Sequence, residues 1–164
     1  MKRLLPLLLL LPIPLLSACG LQPLYAGGGS GRVASTLGTV EVPAIQGRAG
    51  WLMANALRDR LGDGSGPRYR LDVRLDDEIT GLGIRRDDAV TRERRTLRAR
   101  YQLVDLQNGS VVLDATAGSD AGIDVVGSEY ATIAAENTAL ERLSGIVADE
   151  IVARLALYAR RQPQ

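Results

Sequence analysis

The chain has 164 residues, 20 Lys and Arg against 19 Asp and Glu, a single cysteine and no histidine. The missing histidine excludes Ser-His-Asp and Cys-His catalytic sites and the usual Cys/His zinc sites. The balanced charge argues against a nucleic-acid partner, because nucleic-acid-binding domains are usually strongly basic. The length is sufficient for one domain with a single core. Without Phe and with a single Trp, that core must be largely aliphatic.

The N-terminal segment has the layout of a secretory signal peptide. Lys2 and Arg3 precede a run of Leu, Ile and Pro over residues 4–16, and small residues lead up to Cys19. Basic residues, an apolar run and small residues before the cleavage site follow one another in this order in signal peptides. The apolar run is too short to span a membrane comfortably. We therefore predict that residues 1–18 are a signal peptide that is cleaved off.

The segment Leu16-Ser17-Ala18-Cys19 resembles the lipobox of bacterial lipoproteins. The resemblance implies that the thiol of Cys19 carries a diacylglycerol and its amine an acyl chain, with no other cofactor. The alternative is an ordinary signal peptide followed by a chance cysteine. Several acyl chains anchor a protein stably, because each buried methylene contributes about 0.8 kcal/mol. In enterobacterial lipoproteins an Asp directly after the acylated cysteine favours the inner membrane. This chain has Gly20 there, which implies that the protein is located on the periplasmic side of the outer membrane.

Residues 19–36 are predicted to be a flexible, acylated tether, because the glycine-rich run 27–31 cannot bury apolar surface. Residues 37–160 are predicted to form a single α+β domain, and 161–164 a tail. The domain is expected to begin with a strand over 37–42.

A helix is predicted over residues 48–61, where apolar residues recur at a spacing of four. Its Trp51 is expected in the core or at the edge of the core. Strict alternation of apolar and polar residues then predicts a strand from 68 to 75 and beyond. The alternation changes phase near Gly81 and Gly83, which predicts a bulge or bend there.

A polar turn at 85–88 separates that strand from a second long strand, predicted over 91–106. Asn108-Gly109 is a strong signal for a tight hairpin turn, since both residues tolerate positive φ. The chain is predicted to return as a third strand over 110–117. These three strands form an antiparallel meander.

Ser128 is predicted to cap a long helix that carries an apolar stripe and ends near Tyr158. The element order is therefore β-α-β-β-β-α. It predicts an α+β fold, a two-layer sandwich with two helices packed on one face of a four-stranded sheet.

A cluster of arginines is the candidate binding surface. Its members are Arg85, Arg86, Arg92, Arg94, Arg95, Arg98 and Arg100. Arg94, Arg98 and Arg100 share parity, so they project from one face of the sheet. Guanidinium groups bind phosphate in a bidentate manner. The alternative is a solvated face on which the arginines pair weakly with carboxylates of neighbouring strands. The carboxylates considered for this pairing are Asp72, Asp76, Asp77 and Glu93.

The segment Cys19-Gly20-Leu21-Gln22-Pro23-Leu24-Tyr25 resembles the start of mature lipoproteins of the lipopolysaccharide-assembly family LptE, of the alphaproteobacterial type. The order of elements is also similar to that family. The resemblance implies an outer-membrane lipoprotein that plugs the β-barrel protein LptD and helps it to assemble. It also implies assistance in inserting lipopolysaccharide into the outer leaflet, with the arginine cluster contacting the glycolipid or the barrel.

Two other functions remain open. One is an auxiliary lipoprotein of an ABC-type lipid transport system, which would also be small, anchored and α+β. The other is a lipid-anchored hydrolase. A hydrolase is disfavoured because the chain has no histidine, no free thiol and no G-x-S-x-G nucleophile motif. The chain is therefore expected to bind and not to catalyse.

Overall fold

The computed structural model describes residues 31–62, 64, 66–84 and 90–162. The predicted signal peptide, Cys19, the first part of the predicted tether, and Arg85 and Arg86 lie outside these residues. The elements in chain order are α1 (Arg32–Leu37), β1 (Val40–Glu41), α2 (Gly47–Leu61), β2 (Tyr69–Ile84), β3 (Val90–Asp105), β4 (Val111–Asp124) and α3 (Glu129–Arg161).

The four strands form one sheet in the order β1-β2-β3-β4. The short β1 runs parallel to β2 and pairs only with Tyr69 and Arg70, whereas the three long strands form an antiparallel meander. α2 and α3 pack over one face of the sheet, and α1 packs against α3. The predicted α+β fold with helices on one face of a four-stranded sheet is confirmed.

Alternation along the strands places the core on one face of the sheet. Successive side chains of a strand point to opposite faces. The buried residues of the meander occupy odd positions, in β3 as far as Leu103 and in β4 along the whole strand. They include Tyr69, Leu71, Leu97, Ala99, Tyr101, Leu103, Ala117, Ala121 and Ile123. The even positions of the three strands form the opposite face. No helix among the described residues covers it, and we call it the open face.

α3 covers the helix-facing side of the sheet along its length. Its 33 residues span about 50 Å at 1.5 Å per residue. The 16 residues of β2 span a similar length at about 3.3 Å per residue. The side chain of Ser128 accepts a hydrogen bond from the N–H of Ala131, as expected of an N-cap. The helix continues past the predicted end at Tyr158, because Ala159 is buried and Arg32 donates to the carbonyl of Arg160 at 2.9 Å.

α1 was not predicted. It overlaps the C-terminal end of the predicted tether (19–36), and the predicted first strand is reduced to Val40–Glu41. Val33 and Leu37, one helical turn apart, are buried in the common core. Two apolar residues in a short polar segment give a weak periodic signal. Their partner is α3, which begins more than ninety residues farther along the chain, so the local sequence does not show the contact.

Two further predictions are wrong. β2 pairs with β3 in one unbroken register from Tyr69 to Ile84, so no bulge occurs at Gly81 or Gly83. The register shift lies instead between β3 and β4, at Leu103/Val104. The change of phase near residue 80 reflects a change in side-chain polarity on each face and no irregularity of the backbone.

Trp51 is 63% exposed and lies outside the core, against expectation. The buried face of α2 is formed by smaller residues, Gly50, Met53, Ala54, Leu57 and Leu61. Gly50 is required there, because a Cβ atom would lie 2.5 Å from the carbonyl oxygen of Ile45.

A largely buried ion pair joins the sheet to α3. Arg95 donates from Nε and Nη2 to the two carboxylate oxygens of Asp77, at 2.8 and 2.6 Å. Its Nη1 donates to the backbone carbonyl of Glu136 in α3 at 2.9 Å. The side chains of Arg95 and Asp77 are only 11% and 22% exposed. Asp77 therefore supplies the counter-charge for the guanidinium group of Arg95, which lies between the sheet and α3.

Replacing Asp77 with Ala should destabilise the domain by about 3 kcal/mol, because it leaves the buried guanidinium of Arg95 without its counter-charge. The neighbouring Asp76→Ala is the matched control, since Asp76 is exposed on the open face. Urea unfolding followed by circular dichroism measures both. Equal, small losses in the two variants would show that the pair contributes little.

Candidate functional site

The open face of the sheet carries equal numbers of opposite charges. Even positions of the three long strands hold six arginines and six carboxylates. The arginines are Arg70, Arg74, Arg92, Arg94, Arg98 and Arg100. The carboxylates are Asp72, Asp76, Glu78, Asp114, Asp120 and Asp124. The face is therefore highly charged but has no net charge, and it differs from the basic surface that the cluster in β3 alone predicts.

Several of these arginines form cross-strand ion pairs with β4. Arg92 contacts Asp124 at 3.0 Å, and Arg100 contacts Asp114 at 3.1 Å. Arg98 reaches Asp120 only at 4.0 Å. Exposed pairs of this kind contribute about 0–1 kcal/mol each. The alternative of cross-strand pairing thus applies to part of the cluster. Arg95 pairs with Asp77, a carboxylate that the sequence had named, whereas Arg92 and Arg100 pair with carboxylates on β4 that it had not.

A groove of about 480 Å³ crosses the middle of the open face. It is lined by Arg74, Leu75, Asp76, Arg98, Ala99, Arg100 and Thr116. Arg74 lies directly opposite Arg100 in the register of β2 and β3. Like charges in this position destabilise a sheet, so an anion between them would be favourable. We call Arg74, Arg98 and Arg100 the arginine groove.

The three arginines differ in how firmly they are held. Arg100 donates twice to Asp114, which also accepts from Gln102 at 2.8 Å. These hydrogen bonds lower the pKa of Asp114 below its usual range, and the bond from Arg100 has a larger effect than the bond from Gln102. The bond to Asp114 likewise raises the pKa of Arg100. Among the described residues, Arg74 has no carboxylate within 4.0 Å. Arg74 and Arg98 are therefore the guanidinium groups most available to an incoming anion.

Gly118 provides the space in which the side chain of Arg98 lies across β4. A Cβ atom on Gly118 would be 2.6 Å from both Cδ and Nη1 of Arg98. The N–H of Gly118 donates to the carboxylate of Glu150 in α3 at 3.3 Å. The absence of a side chain at this position therefore sets the direction of Arg98.

A second cavity of about 470 Å³ adjoins the arginine groove. It lies between residues 43–45 and the edge of β2, and Arg74 and Arg100 line both cavities. The Arg74–Arg100 pair is thus accessible from two sides. An extended ligand with more than one phosphate could follow this path along the sheet.

The structure divides the predicted cluster. Arg92, Arg94, Arg98 and Arg100 lie on the open face, although Arg94, opposite Thr80, is away from the groove. Arg95 is buried on the helix-facing side and pairs with Asp77. Arg85 and Arg86 lie outside the described residues.

Sequence reasoning missed Arg74. The alternation in β2 places it on the polar face, but only the register shows that it lies opposite Arg100. Symmetric pairing of the two predicted strands about position 87 would have matched position 74 with position 100.

No helix in the described part of the chain is both long and apolar enough to cross a membrane.

A family model described as lipopolysaccharide-assembly, LptE, matches residues 37–155. A lipoprotein from Caulobacter crescentus CB15 is similar in structure, with a TM-score of 0.69, 28% identity, and coverage of 80% of this chain and 100% of that chain. The rare lipoprotein B of Shewanella oneidensis matches with a TM-score of 0.57 at 11% identity, covering 73% of this chain and 93% of that chain. A minor lipoprotein from Acinetobacter baumannii matches with a TM-score of 0.56 at 16% identity, covering 76% of this chain and 94% of that chain. At these last two identities the likeness concerns the fold alone. A comparison with curated proteins found no significant match.

Replacing Arg100 with Gln should raise the pKa of Asp114 toward its usual value, since the main hydrogen bond that lowers it is lost. A carboxyl with a lowered pKa stabilises the fold above its unfolded pKa, and that contribution disappears as pH falls through the folded value. The variant should therefore lose less stability on acidification than the wild type. Carboxyl-carbon NMR titration measures the shift, with Arg94→Gln as the control. An unchanged pKa in Arg100→Gln would show that the ion pair does not persist in solution.

Proposed function

The chain belongs to the lipopolysaccharide-assembly family LptE, whose model matches residues 37–155, and we propose that it is the lipoprotein subunit of the outer-membrane lipopolysaccharide translocon. In this proposal Cys19 is acylated and holds the domain on the periplasmic side of the outer membrane. The domain plugs the lumen of the β-barrel protein LptD and helps the barrel to assemble. Its role is to bind and support the barrel and not to catalyse a reaction.

The observation that carries this proposal is the one-sided architecture of the domain. One face of the sheet is covered by helices, whereas the open face presents six arginines and six carboxylates without net charge. The lumen of a membrane barrel is polar, so a polar and electrically balanced surface suits contact with the lumen wall. A basic or apolar face would suit it less.

The length of the domain also supports the plug. β2 and β3 have 16 residues each, about 50 Å at 3.3 Å per residue. The hydrocarbon core of a membrane is about 30 Å thick. A domain of this length that enters a barrel end-on would extend through the whole membrane-embedded part of the lumen.

The arginine groove is the proposed contact for lipopolysaccharide. Its lipid A part carries phosphates, and a guanidinium group binds a phosphate through two parallel hydrogen bonds. Arg74 and Arg100 lie opposite each other on the adjacent strands β2 and β3. Arg98 makes only a long contact to Asp120. A phosphate in the groove would relieve the repulsion between Arg74 and Arg100.

Gentle detergent extraction of the acylated protein from outer membranes should copurify a large β-barrel protein in equal amount. A plug that fills a lumen buries a large surface and dissociates slowly, which is why we expect a one-to-one ratio. Quantitative mass spectrometry of the eluate measures the ratio. Recovery of an ABC transporter in place of a barrel would favour the auxiliary-lipoprotein alternative and overturn the proposal.

The double variant Arg74→Glu/Arg98→Glu should bind purified lipopolysaccharide at least about tenfold more weakly, since each charged hydrogen bond contributes about 1.5–3 kcal/mol. The matched control is Arg48→Glu/Arg142→Glu, which reverses two exposed charges on helices. Surface plasmon resonance measures binding, and circular dichroism checks the fold. Equal affinities of the two folded variants would show that the groove is only solvated.

A further inference from the structure

A basic cavity lies at the end of the domain where the N-terminal segment joins it. It has a volume of about 510 Å³ and is formed by α1, the start of β2 and the end of α3. The residues that line it are Arg32, Ser35, Thr36, Thr39, Arg68, Tyr69, Ala159 and Gln162. This cavity is separate from the arginine groove, with which it shares no residue.

Two guanidinium groups are positioned at this cavity by contacts that leave donors free. Arg32 uses Nη2 to donate to the carbonyl of Arg160, and a guanidinium has five N–H donors in all. Arg68 lies over the ring of Tyr69, with 5.2 Å between its guanidinium carbon and the ring centroid. Its contact to Asp105 is long, 3.9 Å, and its side chain is 53% exposed. Both arginines can therefore donate to an anion from outside.

One aromatic residue, Tyr69, lines the cavity. Tyr69 is buried and packs edge-to-face against Tyr158, with 6.1 Å between the ring centroids. Burial raises the pKa of Tyr158 to about 12, farther above physiological pH than the ordinary value, at which a tyrosine is already uncharged. The hydroxyls of Ser35 and Thr36 donate to the carbonyl of Arg32, which leaves their oxygens as acceptors only. Charge recognition at this site therefore comes from the arginines.

The surroundings add positive charge. Arg160 and Arg161 are exposed in the last turn of α3, next to the cavity. Asp105, the carboxylate that Arg68 contacts, is mostly buried and accepts a hydrogen bond from the N–H of Gln107, whereas Glu41 and Asp72 lie beside Arg70. An anionic surface would therefore be attracted to this end of the domain.

The chain length places this end near a membrane. Arg32 follows Cys19 by thirteen residues, which span at most about 45 Å when fully extended. If Cys19 is acylated, as the proposed function requires, the cavity cannot move farther than this from the headgroups. The anchored leaflet is thus present at the cavity at a high effective concentration.

We propose that this cavity binds the phosphate of an anionic phospholipid headgroup in the leaflet that holds the anchor, for which phosphatidylglycerol serves as the probe. Arg32 and Arg68 donate to the phosphate oxygens, and Arg160 and Arg161 face the neighbouring headgroups. The headgroup contact fixes the orientation of the domain at the periplasmic mouth of the proposed barrel, with Ile84 and Val90, the far ends of β2 and β3, directed along the lumen. The acyl chains attach the protein to the membrane, and the contact at the cavity orients the domain relative to it.

Native mass spectrometry of the intact acylated protein tests this proposal. The protein in neutral detergent is titrated with dioleoylphosphatidylglycerol or with dioleoylphosphatidylcholine, and bound lipid is counted. We expect about fivefold more phosphatidylglycerol adducts, since the two lipids share a phosphate but only the first bears net negative charge. Arg32→Gln/Arg68→Gln should bring the two lipids to equal occupancy. Arg68→Gln alone, which leaves the bond from Arg32 to Arg160 intact, should reduce the preference part of the way.

The matched control is Arg48→Gln/Arg142→Gln, which removes the same charge from exposed helical positions and should keep the preference. Equal adducts of the two lipids on the wild type, or the same loss in the control, would overturn the proposal. The intact mass also shows whether Cys19 carries its acyl chains. A failure of that premise, or the absence of a copurifying barrel, is therefore distinguished from a failure of the headgroup site.

Discussion

The whole domain depends on burying one face of a long, twisted sheet beneath one long helix. The buried residues of α3 recur every three or four positions from Ala139 to Ala159, and the apolar odd positions of β2, β3 and β4 lie beneath them. Because side chains alternate along a strand, burying the odd positions exposes the even ones. The charged open face follows directly from the way in which the core is built.

The two faces use charged residues in different ways. Arg95 and Asp77 lie between the sheet and α3, where removing one partner leaves an uncompensated charge, so their pairing has structural consequences. The arginines of the open face have solvent and several carboxylates around them, and each pair contributes little to stability. Arginines that are close together in sequence therefore divide into a structural residue and a set available for binding.

The domain also has two ends with different surroundings. The N-terminal segment joins at the end formed by α1 and the last turn of α3, where Arg32 and Arg68 line a cavity. Ile84 and Val90, where β2 ends and β3 begins, lie at the opposite end of the strands. In an acylated protein with these two ends, the proposed headgroup contact would hold the α1 end at the leaflet surface and align the long axis of the domain with the lumen of the proposed barrel. This arrangement connects the proposed anchor, the proposed headgroup contact and the proposed contact of the open face with a barrel.

Strong periodicity in the sequence predicts the helix over 48–61, the meander and the capped final helix, and hence the α+β class. Asn108-Gly109 marks the hairpin correctly, but its loop covers residues 106–110 and is longer than the predicted tight turn. Such patterns are local, because burial against any partner requires the same spacing. Tertiary contacts place α1 on α3, leave Trp51 exposed, bury Arg95 and set Arg74 opposite Arg100. These features depend on strand register and on contacts between distant segments, which the spacing of residues along one strand or helix does not encode.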